Sequence, residues 1–207
     1  MSEIYVWTII GMSLLSGFTP GPGSLAIAAT SMAQGPRHGF ALAYGMSLGA
    51  MIWAIVAGLG MGAVLISNQW LFETLRYLGV AYLVWLGVRC ARSAMQSDKK
   101  LEAKSISTSG VLASAIRGSL IHLTNPKVLL YWASIFVIAV KPDASSNAIF
   151  WVIVVSLTMN VIIVTTWATL FSRPPMMAGY LKFRRWLEAS FAAIFGIAAL
   201  LIVTDNR

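Results

Sequence analysis

Apolar and polar positions alternate along the chain on a scale of whole helices rather than single turns. Nothing between Glu3 and Arg37 is charged, and between Arg37 and Glu73 only the neutral His38 interrupts the apolar run. Each run exceeds the roughly 20 residues that cross a bilayer as a helix. Continued to the C-terminus, the same pattern predicts six spans, at about 4–33, 39–66, 70–90, 111–140, 147–171 and 186–204. The third carries Glu73 and Arg76 at one end and Arg89 and Arg92 at the other, where side chains reach the membrane interface. The predicted fold is therefore all-α, a polytopic membrane protein with six transmembrane helices in a single domain over 1–207. The Lys- and Ser-rich stretch 93–110 is its linker, joining half-repeats of about 1–92 and 111–207.

Two of the six runs contain helix breakers near their middle. Thr19-Pro20-Gly21-Pro22-Gly23 interrupts the first and Thr124-Asn125-Pro126 the fourth, about half a chain length apart. Each half holds an odd number of spans, so a duplicated half must lie upside down relative to its partner. The expectation is a 3+3 inverted repeat whose first and fourth helices are broken mid-membrane, the arrangement that marks the binding site of many secondary transporters.

Composition sharpens the class. Of 207 residues 58% are hydrophobic and 11% charged, against about 25% charged in soluble domains, and mean hydropathy is +0.77. No room is left for a separate soluble catalytic unit, so no enzyme and no cofactor is expected. The lone Cys90 excludes a disulfide framework within the chain, and the spans hold no His/Cys/Asp/Glu cluster for a metal. Without a basic stretch at its N-terminus, the first run reads as a mature span rather than a signal peptide. The net charge of +8 suggests nucleic acid until it is mapped. Of 15 Lys and Arg, 11 fall on one side of the six spans, including Arg37, Arg89, Arg92, Arg117 and Arg173; Arg76, Lys141 and Arg207 fall on the other. The positive-inside rule places the first group in the cytoplasm and both termini outside it, and removes nucleic acid as a partner.

The breakers carry the candidate chemistry. Proline withholds a donor and frees a carbonyl one turn earlier, so unpaired peptide groups at Thr19, Pro20, Gly21, Pro22, Gly23 and Ser24 must meet protein or a polar cavity. Half-helix ends offer dipoles for a carboxylate or an ammonium. Lys127 lies deep in an apolar segment, where a cation costs about 2.5 to 3.5 kcal/mol on the insertion scale. Its partners are freed carbonyls, Asn125 or a substrate carboxylate; tying a broken helix end and touching substrate are both open. His122, one turn before Asn125, is either a proton-coupling group or a hydrogen-bonding core residue. Tyr131 and Trp132 follow Asn125-Pro126-Lys127 and line a pocket or anchor an interface. Thr158, Asn160, Thr165 and Thr166 line the same cavity or bond between helices. Gly45-Met46-Ser47-Leu48-Gly49 fits a nucleophile-elbow pattern, but within a continuous apolar helix it reads as a GxxxG packing motif, as does Gly58 to Gly62.

These motifs resemble the LysE/RhtB family of bacterial amino-acid exporters. The resemblance rests on Phe18-Thr19-Pro20-Gly21-Pro22, on Arg76-Tyr77-Leu78-Gly79 through Trp85-Leu86-Gly87, and on Leu123-Thr124-Asn125-Pro126-Lys127, in order over nearly the whole chain. The run Asn125 to Tyr131 and the segment around Leu170-Phe171, Pro175 and Gly179-Tyr180 look most like its threonine-exporter branch. The resemblance implies efflux of neutral amino acids such as threonine or homoserine across a bacterial inner membrane, driven by the proton gradient, with Pro20-Gly21-Pro22 facing Asn125-Pro126-Lys127 as the site. Gly23 and Ser24 stand where the family usually has Asp or Asn, and His122 where many members carry Asn. The partners implied are an amino acid and the lipid bilayer, with a homo-oligomer left open. A passive channel and a non-transporting scaffold subunit are the rival functions.

Overall fold

The computed structural model describes residues 4–19, 21–67, 69–95, 109–140 and 146–204. Pro20, most of the 93–110 linker, Lys141 and Arg207 lie outside them. The described residues form eight helices and no strand: α1 (Val6–Phe18), α2 (Pro22–Gln34), α3 (Pro36–Ser67), α4 (Gln69–Met95), α5 (Val111–Leu123), α6 (Pro126–Ala139), α7 (Ser146–Leu170) and α8 (Pro174–Thr204). Where the first span was expected stand α1 and α2, and where the fourth was expected stand α5 and α6. Two segments, Pro36–Gly60 and Asn147–Leu170, are by length and composition long and apolar enough to cross a membrane unaided.

Prolines start the helices. Pro22, Pro36, Pro126 and Pro174 each occupy a first helical position, where the missing N–H is one the helix leaves unbonded anyway. Between α2 and α3 the chain turns at Gly35, whose φ of +88° favours glycine. The last helix departs from expectation: α8 begins at Pro174, not near 186, so Lys182 and Arg185 lie on a helix rather than in a connection. The double proline Pro174-Pro175 supplies the start signal that the charge pattern obscured.

α3 and α5 share the most extensive helix–helix contact among the described residues. A Cβ on Gly45 would meet the Ala115 carbonyl, one on Gly118 the Leu42 carbonyl, and one on Gly49 would lie 2.8 Å from the Ser119 carbonyl oxygen. The Ser119 hydroxyl donates to the Gly45 carbonyl at 2.7 Å. A Cβ on Gly58 would meet only side chains, the end of Ile153 of α7 lying 2.9 Å away. Small residues let the backbones touch, and the G-x-S-x-G match is a packing seam.

α1 and α6 lie side by side and antiparallel. Ile4 bridges Val140 at one end, with the Tyr5 N–H donating to Ala139 O at 2.8 Å. Ser13 Oγ and the Tyr131 hydroxyl are 2.7 Å apart midway, and Lys127 reaches Ser16 and Thr19 at the other end. One core gathers Leu83, Leu86, Trp132, Phe136 and Phe195; a second gathers Ile27, Leu42, Met46, Trp167 and Phe171. Outward faces are as apolar as the cores. On α3, Leu48, Ile52, Ile55, Val56 and Leu59 recur at helical spacing and are all exposed, far more apolar surface than a soluble monomer tolerates.

Candidate functional site

The last carbonyls of a helix have no partner within it, and those of α1 are met one by one. Leu15 O accepts from both the backbone N–H and the hydroxyl of Thr19. Ser16 O accepts from Lys127 Nζ, Gly17 O from Trp167 Nε1 at 3.1 Å, and Thr19 O again from Lys127 Nζ at 3.2 Å. The ammonium thus sits at the negative end of the α1 dipole, the position a cation favours. Among the described residues its ammonium, with three protons, donates to two backbone carbonyls.

The α5 end is met in the same manner. His122 O accepts from the Asn125 N–H at 3.3 Å, and Leu123 O from Trp53 Nε1 at 3.2 Å. Facing these carbonyl ends are two helix starts. Ser24 Oγ accepts from the Gly21 N–H at 3.0 Å at the head of α2, and Asn125 Oδ1 accepts from the Lys127 N–H at 3.0 Å at the head of α6. Ser24 therefore serves as a cap at the head of α2.

Four helix ends converge on a cavity of about 100 Å³ between the two cores. Water needs only about 10 to 15 Å³ of such space, so there is room for several waters or one small polar solute. Of the residues singled out in the sequence, Thr19, Gly21, Gly23, Ser24, His122, Asn125, Lys127 and Tyr131 line this one cavity, although the motifs that carry them lie half a chain apart. Pro22 does not: it is exposed and lines a second cavity on the far side of the break. Pro20 lies outside the described residues, and only the backbone of Pro126 is described. Among the described lining residues Lys127 is the one lysine or arginine. His122 Nδ1 is buried and has no hydrogen-bond partner among the described residues.

For Asn160 both alternatives left open by the sequence occur: it lines the cavity and accepts from Ser47 Oγ of α3 at 2.9 Å. Thr158 and Thr166 instead bond back to their own helix, to Val154 O and Ile162 O, each at 2.8 Å. Ser13, Ser156, Met46 and the tryptophan donors were not singled out as site groups. Nothing in the local pattern of α3 or α7 tells an indole that caps another helix from one that fills a core. Glu188, on α8 and 1% exposed, was also not singled out, although it falls within the sixth predicted span.

The indole caps carry a direct prediction. Trp167→Phe keeps a ring against Phe171 and Tyr180 but leaves the Gly17 carbonyl unpaired, at a cost of about 1 to 3 kcal/mol. Trp53→Phe does the same to Leu123. Each is expected to lower the thermal midpoint in detergent, and the double variant to lower it by the sum; unchanged midpoints would show the caps idle.

Comparison with known proteins gives a consistent result. The chain is 28% identical over 204 residues to a threonine efflux protein of Salmonella typhi, covering 96% of this chain and 97% of that one. It is 28% identical over 199 residues to a homoserine/homoserine lactone efflux protein of Salmonella typhimurium, covering 94% of each. A leucine efflux protein of Enterobacter sp. (strain 638) is 26% identical over 191 residues, covering 92% of this chain and 89% of that one. No solved structure matches. Residues 14–206 match the family described as LysE type translocator, so the chain belongs to the LysE family of translocators.

Proposed function

We propose that this protein is a secondary transporter that exports neutral amino acids of the threonine or homoserine type from the cytoplasm across the bacterial inner membrane. The observation that carries the reading is the cavity at which four helix ends, Lys127 and Asn125 meet. Carbonyls at the ends of α1 and α5 suit an ammonium, while Lys127 and the heads of α2 and α6 suit a carboxylate. The relatives named as threonine, homoserine and leucine efflux proteins support the same class.

In this reading the eight helices make six spans, two of them the pairs α1–α2 and α5–α6. Both termini lie outside the cytoplasm, and the exposed apolar faces of α3 and α8 meet lipid. A matched detail favours the inverted repeat: Trp53, on the helix after the first pair, caps the end of α5, and Trp167, on the helix after the second, caps the end of α1. Transport alternates access to the midplane cavity without covalent chemistry.

Purified protein in vesicles, loaded with labelled threonine, homoserine or leucine and given a proton gradient, tests this. Expected is flux against the amino-acid gradient that collapses with an uncoupler. Flux that survives the uncoupler would indicate a passive channel, and no flux of any amino acid would sink the transporter reading. We assign proton coupling to His122, whose Nδ1 is buried, unpartnered among the described residues and on the cavity. His122→Gln is expected to keep exchange of one amino acid for another while losing gradient-driven accumulation; retained accumulation would move coupling elsewhere.

A further inference from the structure

A second cavity, of about 450 Å³, lies against the first. The two share Thr19 and Gly21, so the α1–α2 break is the wall between them. Their charges differ. Among the described residues, the first is lined by Lys127 as its one basic side chain of the Lys/Arg type and by no carboxylate. The second is lined by Glu188 of α8 and by Arg89 and Arg92 of α4, with Trp85 and Pro22 beside them. α8 packs on α4, and Glu188 shares the wall of this cavity with Arg89, Arg92 and Cys90. The Arg89 guanidinium lies 5.3 Å from the centre of the Trp85 ring, which holds it along the cavity wall rather than extended away. Glu188, 1% exposed, is a partnered carboxylate that also forms part of this cavity's wall.

A free α-amino acid carries one positive and one negative end, about as far apart as two substituents on one carbon allow. The first cavity offers it a cation and neutral oxygens. The second offers a carboxylate and two guanidiniums on facing helices, and guanidinium takes carboxylate through paired hydrogen bonds. We propose that the second cavity is a loading site for the zwitterion, with Glu188 receiving the ammonium and Arg89 and Arg92 the carboxylate, before the solute passes the Thr19–Gly21 wall. The inference rests on the amino-acid-export reading, and adds to it a place where amino acids are told apart from amines and from carboxylic acids. Arg89 and Arg92 belong to the basic side of the membrane, so the site faces the cytoplasm, from which an exporter must load.

The test uses inside-out vesicles containing the full chain and measures uptake from the cytoplasmic face. Three probes are compared: threonine, its deaminated 2-hydroxy-acid analogue and its decarboxylated amine. Wild-type protein is expected to prefer threonine over both analogues. Glu188→Gln raises half-saturation for threonine roughly tenfold or more, the scale of one hydrogen bond to a charged group, and relaxes discrimination against the deaminated acid alone. Arg92→Gln, at an exposed position, relaxes discrimination against the amine alone, and carries the proposal even where the buried Glu188 variant fails to accumulate. A purely structural role would change all three probes in parallel. Wild-type transport with unchanged selectivity in Arg89→Gln and Arg92→Gln, or parallel loss of all probes, would overturn the loading site. Absence of threonine, homoserine and leucine uptake by the wild type would instead overturn the export reading.

Discussion

Lys127→Met is expected to reduce export by about two orders of magnitude and to lower the thermal midpoint in detergent. Methionine keeps the length of the side chain but removes both donors that hold the α1 end, leaving Ser16 O and Thr19 O without partners. A buried acceptor without a partner costs about 1 to 3 kcal/mol, and about 3 kcal/mol in all is a hundredfold change in equilibrium. The Tyr82 hydroxyl, which donates to the Lys127 carbonyl at 3.0 Å, holds the backbone in place regardless of the side chain. The helix is therefore expected to stay, and the break to loosen. Rates at equal membrane levels of protein are the measurement. Transport at the wild-type rate would remove Lys127 from the site. If the third ammonium proton also takes the substrate carboxylate, the decarboxylated amine loses less flux than threonine; if the ammonium only ties backbone, all solutes lose alike.

Gly118→Ala and Gly45→Ala are expected to be the most destabilising small substitutions in the chain. Each adds a methyl group where the facing helix presents a backbone carbonyl, Leu42 for Gly118 and Ala115 for Gly45. A backbone cannot rotate aside as a side chain can, so α3 and α5 must separate. Overpacking typically costs about 1 to 3 kcal/mol, and a rigid neighbour puts these at the upper end. Gly60→Ala is the control: nothing lies within 4 Å of its added Cβ, and the helix gains up to about 1 kcal/mol of propensity. Membrane abundance and thermal midpoint report the difference. Equal behaviour of Gly60→Ala and Gly118→Ala would mean that the seam is looser than its backbone contacts require. Function is expected to fall with stability, because His122 rides on α5 with its Cβ 2.9 Å from where a Gly49 Cβ would stand.

What could be read from residue order alone divides along physical lines. Helix existence followed from charge scarcity, and the interruptions from proline and glycine, because both are local properties of the chain. Lys127 stood out since a lone cation in an apolar run must find partners, and the partners it finds, carbonyls at the end of α1, were among those expected. The indole caps were not legible, because Trp53 and Trp167 act on helices far away in sequence and nothing beside them differs from a core tryptophan. Pro22 was grouped with its neighbours by adjacency, yet a helix start turns successive residues to different sides. So Gly23 and Ser24 reach one cavity and Pro22 the other. Glu188 was not legible as a site group: it stands beside Arg184 and Arg185 in the sequence, and only the packing of α8 on α4 shows that it is buried against a cavity wall.

The antiparallel pairing of α1 with α6 has a mechanical consequence. The bridge at Ile4 and Val140, the hydroxyl pair at Ser13 and Tyr131, and the Lys127 contacts pin the two helices at both ends and in the middle. Elements fastened at three depths turn as one lever, with little freedom to slide or shear. Just beyond the last pin the regular helices end, α1 at Phe18 and α5 at Leu123, and new ones start at Pro22 and Pro126. Bending at those two ends would tilt the α1–α6 lever against α2 and α5 while its own length stays rigid.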